Sequence, residues 1–69
     1  MPIMYGIIDE GYRSDKRLTW AARGVASTLH KRPGLTFDDL KKRSKDEPST
    51  IRKSLLELNC RGYLFRYKG

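Results

Sequence analysis

Apolar residues fall along the chain in short clusters, and their spacing changes from one cluster to the next. Ile3 to Ile8 is β-branched and aromatic and predicts a strand. Asp9-Glu10-Gly11-Tyr12 breaks it, and the polar residues 12–17 predict a loop. From Leu18 the spacing becomes helical: Leu18, Ala22, Val25 and Leu29 lie three and four apart and share one face. Thr19 is placed to cap this helix, because its hydroxyl can accept a hydrogen bond from an unpaired N–H of the first turn. Leu18 precedes the cap, where a hydrophobic staple sits. Gly24 weakens the helix by about 1 kcal/mol relative to Ala, and close approach of a neighbouring helix would account for it. Lys31 and Arg32 suit the negative end of the helix dipole, and Pro33-Gly34 stops the helix.

A second, short helix is signalled by Thr36 as its cap and by Asp38 and Asp39 in the first turn, where negative charge is favoured. Phe37 and Leu40 give it an apolar face, and Lys41-Lys42-Arg43 closes it. Ser44-Lys45-Asp46-Glu47 is a polar turn. A third helix is predicted over about 48–61, with Pro48 in the first turn and either Asp46 or Glu47 as the cap. Ile51, Leu55 and Leu58 repeat at i, i+4, i+7 and define its buried stripe, with Leu56 off that stripe. Gly62 is placed just past the end, where a left-handed conformation is needed. Tyr63 to Tyr67 predicts a closing strand. The two terminal segments are the only β-rich stretches, so they are expected to pair, because a lone strand leaves its backbone groups unsatisfied. The expected fold is mainly α with a small β-sheet, in one domain spanning residues 1–69.

Length and composition narrow the classes further. Sixty-nine residues support one modest core. Cys60 is the only cysteine and His30 the only histidine, which excludes an internal disulfide and argues against a zinc site. Cys60 is expected as a small buried or half-buried hydrophobe. The start of the chain has no basic n-region, and its apolar run is broken by Gly6. No apolar stretch approaches the roughly 18 residues of a membrane span. A soluble cytoplasmic protein without a membrane partner is expected. The net charge of +7 is unevenly placed. Residues 1–40 carry six basic and five acidic side chains, whereas residues 41–69 carry nine basic and three acidic. Such asymmetry fits a face that meets a polyanion, though a solvated surface would also use it.

Two helices joined by a tight polar turn and braced by a third can present one helix to a major groove. The outward positions of the third helix are Ser49, Thr50, Arg52 and Lys53, with Glu57 one turn later. Arg can take guanine in a bidentate way, and Ser and Thr can bond phosphates or base edges. Lys41, Lys42, Arg43 and Lys45 stand just before, placed to hold the flanking backbone. Double-stranded DNA is the expected partner, and these eight residues are the candidate contacts.

The residues also carry a resemblance. Asp15-Lys16-Arg17-Leu18-Thr19-Trp20-Ala21-Ala22-Arg23-Gly24 follows a D-x-R-L-S/T-x-x-A-R/K-G opening, and Ile51 to Arg66 follows an I-x-x-x-L-x-E-L-x-x-x-G-Y-L-x-R closing. With these the chain resembles, over roughly residues 7–67, the winged helix-turn-helix domains of phage and plasmid replication proteins. The opening is the more specific of the two, since many winged-helix regulators share the closing. The resemblance implies a three-helix winged helix-turn-helix in which the first strand packs beside the strand after the recognition helix, and residues 48–61 enter the groove. It implies a role in replication or transcriptional regulation. A full wing needs a second strand after residues 63–67. The chain ends at Gly69, so the expected wing is truncated or the chain is a fragment.

Catalysis is not expected. His30 stands alone, Asp9-Glu10 and Asp38-Asp39 are merely adjacent, and neither a phosphate-binding glycine loop nor a nucleophile motif is present. No cofactor and no metal are expected. The alternative reading is capture of a host protein, such as a polymerase or a CRISPR nuclease complex, by a small phage protein on the same scaffold. Exposed Trp20, Tyr12, Leu56 and Tyr67 would then be the anchors.

Overall fold

Residues 3–68 are described by a computed structural model; Met1, Pro2 and Gly69 lie outside the described residues, and with them the part of the wing expectation that rests on the chain end. Strand β1 (Ile3–Ile7) is the middle of a three-stranded sheet, not one of a pair. It runs antiparallel to β3 (Leu64–Lys68), from Ile3 opposite Lys68 to Ile7 opposite Leu64, as the two β-rich termini require. Its other edge carries β2 (Leu35–Thr36), with Met4 opposite Thr36 and Tyr5 opposite Leu35. The sequence reading has no β2, because two residues are too few to show alternation. The strand forms where Pro33-Gly34 turns the chain back onto β1 and the Gly34 N–H donates to the Tyr5 carbonyl at 3.0 Å.

Three helices complete the fold: α1 (Trp20–Lys31), α2 (Phe37–Arg43) and α3 (Pro48–Cys60). Their ends follow the capping chemistry. Thr19 Oγ1 accepts from the Ala22 N–H at 3.2 Å, and Thr36 and Asp39 form a reciprocal capping box at the start of α2. The Thr36 backbone N–H, followed by its hydroxyl, donates to the Asp39 carboxylate and holds it below the ordinary carboxylate range. Glu47 occupies the cap position of α3, without a side-chain capping bond. Gly62 sits at φ 81, the left-handed position that ends α3 and starts β3. Gly6 has a different reason to be glycine. The Phe65 ring lies across it, and a Cβ there would collide with that ring.

The core lies between α1, α3 and the inner face of the sheet. Leu18, Ala22, Val25 and Leu29 are buried, as are Leu40 and the stripe Ile51, Leu55 and Leu58. Ala22 and Ala26 on α1 and Ser54 on α3 are small and buried, as close packing of these helices needs. Ser54 satisfies its hydroxyl by donating to the Thr50 carbonyl at 2.8 Å.

Four expectations are corrected. Residues Glu10–Ser14 form a short 3-10 helix, capped by Asp9 accepting from the Gly11 N–H, where a loop was expected. That turn swings Tyr12 inward, so Tyr12 is 1% exposed and is a core residue, not a surface anchor. Gly24 is exposed, and a Cβ there would touch nothing within 4 Å, so no neighbouring helix requires it. Cys60 is exposed, because at 100° per residue it falls nearly opposite the Ile51–Leu58 stripe.

The two sequence motifs meet in space. The Asp15 carboxylate accepts from the Arg17 backbone N–H (2.9 Å), from the Arg17 guanidinium (3.1 and 3.0 Å) and from the Tyr63 hydroxyl (2.8 Å). These donors, Arg17 foremost, hold Asp15 well below the ordinary carboxylate range, and the same bond raises Tyr63. Arg23 Nη2 donates to the Asp15 carbonyl at 2.9 Å. The cluster ties the segment before α1 to Tyr63, the residue just before β3.

Candidate nucleic-acid interface

The turn Ser44–Glu47 joins α2 to α3 and leaves the first two turns of α3 facing outward. Ser49, Arg52 and Lys53 are exposed there, and Lys41, Lys42, Arg43 and Lys45 are exposed on α2 and in the turn. The eight candidate residues do not form one patch. Ser49, Arg52 and Lys53 line a groove of about 830 Å³ between α3 and the sheet. Lys41 joins them through Phe37, whose ring it approaches from 5.4 Å while Arg52 stacks against the same ring at 5.3 Å. Arg43 lines a smaller recess on the other side of α2, with Trp20, Gly24 and Asp46.

Two outward assignments are corrected. Thr50 is only half exposed, because its place on the helix wheel is the flank shared with Glu57, two turns on. Glu57 is half exposed, and its side chain is engaged with α1 where a free outward carboxylate was expected. Its carboxylate accepts from the Thr19 backbone N–H at 3.1 Å and from the Thr19 hydroxyl at 3.0 Å. The first turn of α1 has no acidic residue of its own, and Glu57 supplies the negative charge that end of the helix favours. Both oxygens of this carboxylate are thereby engaged by Thr19, and among the described residues neither Arg52 nor Lys53 forms a salt bridge. On α2 the charge is partly compensated: Lys41 Nζ lies 3.2 Å from Asp38 Oδ1.

Arg66 of β3 was missed. It lines the groove opposite Arg52 and Lys53. Alternation along the closing strand could have found it, since Arg66 shares parity with buried Leu64. Phe37 was read only as part of the apolar face of the second helix; it is half-buried and also seats two cations. Trp20, Leu56 and Tyr67 are exposed, at 87%, 63% and 42%. His30 lies on the surface of α1 with Nε2 3.1 Å from Glu10 Oε1. Among the described residues no group of three metal-ligating side chains is present, and no helix is long and apolar enough to cross a membrane. Searches against protein-family models, curated proteins and solved structures return no match to this chain.

Proposed function

We propose that this chain is a non-catalytic, winged-helix-type DNA-binding domain that lays α3 into the major groove of duplex DNA. The observation that carries the reading is the outward face of α3. It presents exposed Ser49, Arg52 and Lys53, whose two cations form no salt bridge among the described residues, directly after the cationic run Lys41, Lys42, Arg43 and Lys45. In this reading Arg52 and Lys53 reach base edges, while the α2 and turn cations, with Arg66 from β3, hold phosphates. The topology supports it. The N-terminal strand sits in the middle of the sheet, antiparallel to the strand before α2 and to the strand after α3. The helix pair is therefore braced by a full three-stranded sheet even though no strand follows β3 among the described residues. The motif resemblance to phage and plasmid replication proteins points the role towards replication or transcriptional control. Titration of labelled duplex at several salt concentrations tests the reading, since a phosphate-contacting protein loses affinity steeply as salt rises.

A further inference from the structure

The groove between α3 and the sheet has a chemistry that duplex binding does not use. Its floor is apolar: Tyr5, Phe37, Leu55, Leu56 and Leu64 line it, and Leu56 is 63% exposed. Its rims are cationic, with Arg52 and Lys53 on the α3 wall and Arg66 on the β3 wall, and none of the lining residues is acidic. Phosphates reward the cations and leave the apolar floor empty. A ligand that satisfies both must be apolar along one side and anionic along its edges.

We infer that this groove is a docking site for an acidic amphipathic helix of a partner protein. The α3 wall runs from Pro48 to Asn59, about 17 Å at 1.5 Å per residue. A partner helix with anchors at i, i+3 or i+4, and i+7 spans about 11 Å and fits within that length. Its apolar stripe meets Leu55, Leu56 and Phe37, and carboxylates on either side of the stripe meet Arg52 and Arg66. The cations on both walls favour a helix over a lipid, whose single headgroup would need its charge partners at one end. Arg52 and Lys53 serve both this site and the proposed duplex contact, so the two ligands compete. The docking site itself stands whether or not the chain binds DNA.

The test is an anisotropy titration with a labelled peptide of Leu and Glu, Leu set at i, i+4, i+7 and i+11. A scrambled peptide of the same composition and vesicles of mixed neutral and anionic phospholipid are the controls. The amphipathic peptide should bind saturably in the micromolar range, and the scrambled peptide at least tenfold more weakly. Leu56→Gln, at a position already exposed, should weaken binding at least tenfold with the circular dichroism spectrum unchanged. Arg66→Gln should weaken it several-fold, and added duplex should displace the peptide if the chain binds DNA. Absence of saturation up to about 1 mM peptide overturns the inference. So does equal binding of the scrambled peptide, insensitivity to Leu56→Gln, or Leu56-dependent binding to vesicles without binding to the peptide.

Discussion

Glu57→Gln isolates a contact between helices that are far apart in sequence. In the native chain both Glu57 oxygens accept from Thr19, one from its backbone N–H and one from its hydroxyl. The glutamine variant keeps the shape and one acceptor oxygen. It loses the charge at the N-terminus of α1 and turns the second acceptor into a donor. A hydrogen bond to a charged group contributes about 1.5–3 kcal/mol net when buried, and a carboxylate at a helix N-terminus about 0.3–1 kcal/mol. Both partners here are within reach of solvent, so the lower end applies, and Glu57→Gln should cost about 1–2 kcal/mol. For a domain of this size that is a fall in Tm of several degrees, at about 4–8 °C per kcal/mol. Urea unfolding of the wild type, Glu57→Gln, Thr19→Ala and the double variant measures it. The double variant should be less destabilised than the sum of the singles by about 1 kcal/mol. Additive singles, or a Glu57→Gln variant as stable as the wild type, would refute the claim that Glu57 stabilises the start of α1 through Thr19.

Gly24→Ala should stabilise the chain by up to about 1 kcal/mol, read as a higher urea midpoint, because α1 is helical there and the new methyl meets nothing. Leu55→Ala should cost about 2–5 kcal/mol by thermal melting, nearer the lower figure because Leu55 also borders the open groove. Asp15 titrates below its unfolded value of about 3.9, so its stabilisation is complete above that value and is lost as pH falls through the depressed folded value. Wild type should therefore be more stable than Asp15→Asn at neutral pH, and urea titrations should show the gap closing towards pH 2.

Local chemistry made much of the fold legible. Thr19 and Thr36 were readable as caps because a hydroxyl before a helical repeat has a specific bonding role, and Gly62 because only glycine easily takes the conformation after α3. The buried stripe of α3 followed from its period. What escaped depends on partners distant in sequence. Tyr12 lies in a polar stretch, and only the 3-10 turn reveals that it points into the core. Glu57 looks like any solvated carboxylate until α1 is placed beside α3. β2 is too short to carry a pattern. The basic residues of the candidate interface were visible in the charge asymmetry, but their division into a groove side and an Arg43 side depends on how α2 crosses the molecule.

The claim that α3 and the preceding cations meet duplex DNA is tested most directly by a salt series. Labelled duplex is titrated with wild type, a Lys41→Gln/Lys42→Gln double variant and Arg52→Gln at salt concentrations of roughly 50 to 200 mM. Log affinity should fall linearly with log salt for the wild type. The lysine variant should bind every sequence more weakly, with the slope reduced by about one per lost phosphate contact. Arg52→Gln should instead cost about 1–3 kcal/mol on a preferred site and relax the choice of base there. Folded wild-type protein that binds no duplex even at the lowest salt would contradict the account.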